Sequence, residues 1–188
     1  VYMISGGPGT GKTTIIKGII AAFKDMYETD DIALIAPTGK ADKRIEEATG
    51  FKAATFHRFL KIRQDMFTPP EKVTQKVIII DEISMVDTVL FFTLLKALKD
   101  VRLIIVGDDA QLPSVSPGQV FKDLLKTNLN RTNLTTIHRQ AAGSKIIQLA
   151  QMIRLNTVDL SAFQVPSDLV LKPLSESDFY DRLLSMIQ

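Results

Sequence analysis

The chain has 188 residues, 45% of them hydrophobic, enough to bury one good core, so a single compact domain is expected rather than two or a disordered chain. Its 23 basic and 21 acidic residues leave a formal net charge of +2, too balanced for bulk charge to announce a nucleic-acid partner. The absence of cysteine excludes disulfides and thiolate metal centres, two scattered histidines do not suggest a structural zinc site, and no apolar run approaches the roughly 20 residues that span a bilayer.

No basic-then-apolar leader opens the chain, and a soluble, cytoplasmic protein without a membrane partner is expected. The first element is the apolar run VYMI at 1–4, read as a buried strand, and we expect further structure ahead of Val1. It leads into GGPGTGKTT, where Gly6, Gly11, Lys12 and Thr13 fit the pattern G-x-x-x-x-G-K-[ST]. Glycines in that pattern let backbone N–H groups converge on phosphate oxygens at a helix N-terminus. Helical periodicity over 13–23 supplies the helix, so this stretch predicts a nucleoside triphosphate site. Its binding loop comprises Gly7, Pro8, Gly9, Thr10, Gly11, Lys12, Thr13 and Thr14. Lys12 suits the β- and γ-phosphates, and the Thr13 hydroxyl suits Mg2+.

Further apolar, β-branched runs at 32–36 (IALIA), 76–80 (KVIII) and 102–106 (RLIIV) suit strands covered on both faces. Between them, helical patterns run over 39–48, 55–62 and 88–98. Alternating strands and helices predict a parallel, right-handed βαβ sheet. The segments 48–55 and 63–75 carry turn and breaker residues, with Pro69 and Pro70 marking a loop. Phe91 and Phe92 are expected in the core. The strand at 76–80 ends in Asp81 and Glu82, at the strand end where open parallel sheets bind ligands. Asp81 suits the magnesium shell, and Glu82 suits a base that orients and deprotonates water, which favours hydrolysis over transfer to a small acceptor.

Beyond 106 the pattern loosens into GDDAQLPSVSPGQV, with a short helix expected near 121–125, a strand at 131–134 and a helix at 144–153. The last stretch, 156–188, is more polar, with a strand expected at 169–171 and a helix from 176.

Six segments, GGPGTGKTT, APTGKADKR, ATFHRFL, DEISMVD, GDDAQLPSVSPGQVFKDL and LTTIHRQ, together resemble the first motor domain of superfamily 1 DNA helicases. The likeness, which covers residues 4–140, is to the RecD-like branch that includes the exonuclease V alpha subunit and TraA-type relaxase helicases. It implies an α/β, RecA-like P-loop NTPase fold, a parallel sheet with helices on both faces, over 1–155. Residues 156–188 would then be a connector toward a second RecA-like lobe. It further implies ATP hydrolysis with Mg2+, 5′ to 3′ movement on single-stranded DNA, and nuclease or recombination subunits as partners. By the same resemblance Gln111 senses the γ-phosphate and links it to DNA, with Asp108 supporting its loop. Arg139 neutralises charge on the transferring phosphoryl group, completing a catalytic set with Lys12, Glu82 and Gln111. Gln140 is a weaker candidate, and His138 is expected to pack.

For DNA, the resemblance implies two strand-contacting loops, carrying Pro37, Thr38 and Lys40 in one and Thr55, His57 and Arg58 in the other. The residues agree: Lys40, Lys43, Arg44, Lys52, Arg58, Lys61 and Arg63 form a local basic excess against Asp42, Glu46 and Glu47. Thr38 and Thr55 can donate hydroxyls to phosphates, and Phe56 or His57 can stack on a base, although Phe56 equally suits the core. Asp42 departs from the family pattern, which has a small residue there, and an acid beside the loop is expected to weaken phosphate affinity slightly. A P-loop small-molecule kinase and a nucleotide-switched binding module without turnover are the alternative readings.

Overall fold

A computed structural model describes residues 1–62, 72–136 and 145–159. The chain divides into two compact units, Val1–His138 and Arg139–Gln188. In the first unit, β1 (Tyr2–Gly6), β2 (Ile32–Ala36), β3 (Ala53–Thr55), β4 (Val77–Ile80), β5 (Arg102–Gly107) and β6 (Asn130–Leu134) form one sheet. Its order is β3-β2-β4-β5-β1-β6, and every neighbouring pair is parallel. The helices are α1 (Lys12–Lys24), α2 (Gly39–Thr49), α3 (Phe56–Phe59), α4 (Thr88–Ala97) and α5 (Val120–Leu125). In the second unit, α6 spans Lys145–Leu155.

The two-residue period of a strand builds both cores at once. Ile78 and Ile80 of β4 enter one cluster with Phe56, Phe91, Leu94 and Phe121, from α3, α4 and α5. Val77 and Ile79 enter the other with Ile16, Ile20 and Ile45, from α1 and α2. All four β4 side chains are 0% exposed, each fully buried aliphatic contributing about 1.5–3 kcal/mol. Helices therefore cover both faces, as expected for the α/β P-loop fold.

Five strands (β1, β2, β4, β5 and β6) and five helices (α1, α2, α4, α5 and α6) fall within two residues of their expected ends. β3 is not anticipated by the composition of ATGFKAAT: three small residues become a strand because β2 offers them a ladder, from Leu34↔Ala53 to Ala36↔Thr55. That takes Thr55 out of the helix expected over 55–62. α3 keeps only Phe56–Phe59, and beyond it Lys61 turns left-handed at φ 54°. Phe91 is core, whereas Phe92 is 54% exposed with the Lys96 ammonium 4.8 Å from its ring centre, correcting the expectation that both pack inside. The elements expected at 169–171 and from 176 lie outside the described residues. Among the described residues no helix is long and apolar enough to cross a membrane.

Candidate active site

Because β4, β5 and β1 are adjacent and parallel, their carboxyl ends share one edge of the sheet. Three loops leave that edge: 7–11 after β1, 81–82 after β4 and 108–119 after β5. Gly9 and Gly11 sit at φ 79° and 87°, a backbone that L side chains rarely adopt. A Cβ on Gly6 would lie 2.5 Å from Thr10 Oγ1 and 2.9 Å from Leu134 Cβ, so the loop closes only over a bare backbone. Buried Thr10 holds the turn by donating to the Gly7 carbonyl at 2.8 Å. Pro8 and Thr14 are exposed, and Thr13 is half-buried.

α1 is preceded by Gly11 as its N-cap, which supplies no side-chain cap, and its first turn contains no acid. The first N–H groups of a 13-residue helix, at the positive end of its dipole, thus have no side-chain acceptor. Such a terminus fits an anionic phosphate. The Lys12 ammonium folds back over the same loop, donating to the carbonyls of Gly6 at 2.7 Å and Gly7 at 3.1 Å.

Asp81 is 8% exposed, and its backbone N–H is tied to the Ile35 carbonyl at 2.9 Å. Burial, helped by the negative charge of Glu82, pushes its carboxyl up to about 6 from 3.8. A hydrogen bond from the Glu82 backbone and the charges of Lys12 and Arg44 oppose the rise. Glu82 sits at φ 52°, ψ 39°, opening a 3₁₀ turn over Ile83–Met85. Holding a glutamate left-handed costs on the order of 1–3 kcal/mol, the kind of strain that collects at functional sites. Its Oε2 is buried without a hydrogen-bond partner. A buried carboxylate oxygen with an open lone pair can accept a proton from a water brought against it. Among the described residues no cluster of three potential ligands makes a closed metal cage. Asp81 and Thr13 are oxygen donors of the kind that suits Mg2+, an ion that keeps much of its shell for phosphate oxygens and water.

The loop after β5 is folded by Asp108, 2% exposed, whose Oδ1 accepts from the Ala110 N–H at 3.1 Å. Gln111 donates its backbone N–H to the Asp108 carbonyl at 3.2 Å, and its Oε1 accepts from the Ser84 hydroxyl at 3.0 Å. Ser5, at the end of β1, donates to Asp109 Oδ1 at 3.2 Å. The end of β1, the turn after β4 and the loop after β5, distant in sequence, are in this way hydrogen-bonded into one cluster. Ser84 and Ser5 are unmarked in the sequence; a hydroxyl two residues beyond Glu82 is the one signal that points to Ser84. Arg139, Gln140 and His138 lie outside the described residues.

Farther along the same edge, α2 and α3 begin side by side, because Ala36 pairs with Thr55. Thr38 caps α2, its Oγ1 accepting from the Ala41 N–H at 3.2 Å, and Thr55 caps α3 by accepting from the Arg58 N–H at 3.2 Å. Each hydroxyl keeps its own proton for a further acceptor. Pro37 is half-buried, while Lys40, His57 and Arg58 are exposed. Phe56 is 0% exposed and belongs to the core, which removes it as a base-stacking side chain. Asp42 does not stand as a loose acid beside the loop: it is buried and paired with Arg58.

The profile of the family described as AAA domain matches residues 1–117. The chain belongs to that family. Within it, the chain is RecD-like: it is 36% identical over 186 residues to the RecBCD enzyme subunit RecD of Mycolicibacterium smegmatis, covering 84% of this chain and 33% of that protein. It is 38% identical over 155 residues to the ATP-dependent RecD2 DNA helicase of Deinococcus radiodurans, covering 80% of this chain and 21% of that protein. The RecD-like domain thus spans a third or less of the length of these relatives. Its fold is that of Pif1 helicase from Candida albicans, with a TM-score of 0.67 and 24% identity, covering 100% of this chain and 51% of that one. Pif1 helicase from Bacteroides, solved with ADP-AlF3 and single-stranded DNA, matches with a TM-score of 0.62 and 21% identity, covering 99% and 52%.

Proposed function

We propose that this RecD-like domain is the ATP-hydrolysing motor of a DNA helicase, with single-stranded DNA as the substrate that hydrolysis moves. The observation that carries the reading is Glu82: a half-buried glutamate held left-handed, with one buried carboxylate oxygen left open, next to Asp81 and on the same sheet edge as the phosphate loop. In this reading α1's first turn and Lys12 bind the phosphates, and Thr13 and Asp81 hold the Mg2+. When bound, that ion would neutralise negative charge on the phosphates. Glu82 takes a proton from water aimed at the γ-phosphorus. Gln111 turns its amide donors toward the γ-phosphate, and Arg139 adds positive charge there.

Pro37, Thr38, Lys40, Thr55, His57 and Arg58 contact the DNA backbone and bases at the α2 and α3 starts. Residues 156–188 lead to a second RecA-like lobe, and closure of the two lobes converts hydrolysis into 5′ to 3′ movement. Nuclease or recombination subunits are the partners this reading implies. Glu82 also weighs against a nucleotide-switched module without turnover, which has no use for a base held at such cost. The test is steady-state ATP hydrolysis by the chain carried through its C-terminal continuation, with and without single-stranded DNA. Strong stimulation by DNA supports the motor; hydrolysis indifferent to DNA, or phosphate transfer to a metabolite, removes it.

A further inference from the structure

The side chain of Asp42 is 6% exposed, and its Oδ2 accepts from Arg58 Nη2 at 3.3 Å. The same nitrogen donates to the Ala53 carbonyl at 2.5 Å, so both protons of Nη2 point into the protein. The rest of the guanidinium is different: Nη1 and Nε have no partner among the described residues, and the side chain is 61% exposed. Asp42 lies in the first turn of α2, and Arg58 lies in α3. One ion pair therefore ties together the two loops that begin at Thr38 and Thr55.

We propose that Asp42 is a positioning residue, which pins one nitrogen of Arg58 so that its remaining donors face a phosphate of single-stranded DNA at a set spacing from Thr38 and Thr55. The inference rests on the DNA-contacting role proposed for those loops. A freely rotating arginine surrenders side-chain entropy when it binds a phosphate; a guanidinium already held by a buried carboxylate has lost it on folding. The exposed edge then meets the phosphate as a fixed, charge-assisted donor. The pair gives the acid a role opposite to that expected from charge alone, where an acid near the strand weakens binding.

The two effects separate in a binding titration of the protein with fluorescein-labelled oligo(dT) of about 15 nucleotides, run across a salt series. Asp42→Ala removes the pin without stranding a buried charge, because Arg58 is exposed, and melting temperature checks that the variant is folded. The expected result is about 3- to 10-fold weaker binding, with the slope of log K against log salt reduced by about 0.7, the value of one phosphate contact on a single strand. Binding as tight as or tighter than wild type overturns the inference, since loss of an acid then acts only through net charge. Arg58→Ala supplies the cycle: a double variant no weaker than Arg58→Ala supports positioning through Arg58, and additive losses overturn it. Failure of the wild-type protein to bind oligo(dT) at all removes instead the DNA reading on which the inference stands.

Discussion

Ser84 and Gln111, 27 residues apart, meet in a 3.0 Å hydrogen bond that joins the acidic loop after β4 to the loop after β5. With Oε1 occupied by the serine hydroxyl, the Gln111 amide presents its N–H donors on the other side. Any movement of Gln111 is therefore felt two residues from Glu82. Ser84→Ala removes one neutral hydrogen bond, of about 0.5–1.5 kcal/mol, and is expected to lower kcat of DNA-stimulated ATP hydrolysis about 3- to 10-fold. KM for ATP should change less, because the phosphate loop is untouched, and Ser84→Thr should restore the rate. An unchanged kcat in the alanine variant removes the link between the two loops.

Glu82→Gln keeps the shape of the strained residue and removes its basicity. Hydrolysis is expected to fall about 100- to 10,000-fold, while equilibrium binding of a fluorescent ATP analogue stays near wild type. Substantial turnover by this variant would take the general-base role away from Glu82.

The raised Asp81 pKa makes stability depend on pH, with a definite sign. Folding favours the protonated acid, so this contribution is fully present below pH 3.8 and is lost as pH rises through about 6. At pH 7.5 the metal-free protein carries an ionised, buried Asp81, a cost on the order of 3 kcal/mol. Asp81→Asn should therefore raise the urea midpoint at pH 7.5 in the presence of a chelator, with the gain shrinking toward pH 4. A variant destabilised at pH 7.5 would mean that the ionised Asp81 holds the loop together.

Phe56 and His57 are neighbours with opposite fates. Phe56→Ala empties a fully buried site and is expected to cost about 3–5 kcal/mol in urea unfolding. His57→Ala, on an exposed position, should leave stability within about 0.5 kcal/mol and weaken oligo(dT) binding instead. The reverse pattern would mean that the α3 start is packed differently.

Much of this molecule is legible in the residues because its signals are local. Continuous β-branched runs identify the doubly covered strands β2, β4 and β5, and the glycine spacing ahead of Lys12 announces a helix start that receives an anion. Asp81 and Glu82 are visible because two acids at the end of an apolar strand have few structural reasons to be there. Other features arise only when distant segments meet. β3 exists because β2 pairs with it, Phe56 and Phe92 are sorted by which side of a helix the sheet covers, and Asp42 becomes an anchor because Arg58 folds onto it. The Glu82 oxygen is left unpaired, and Ser84 is set on Gln111, by the packing of three loops along one sheet edge. Periodicity along the chain decides which face a residue occupies, but burial and hydrogen-bond partners belong to the assembled sheet, where residues far apart in sequence share one edge.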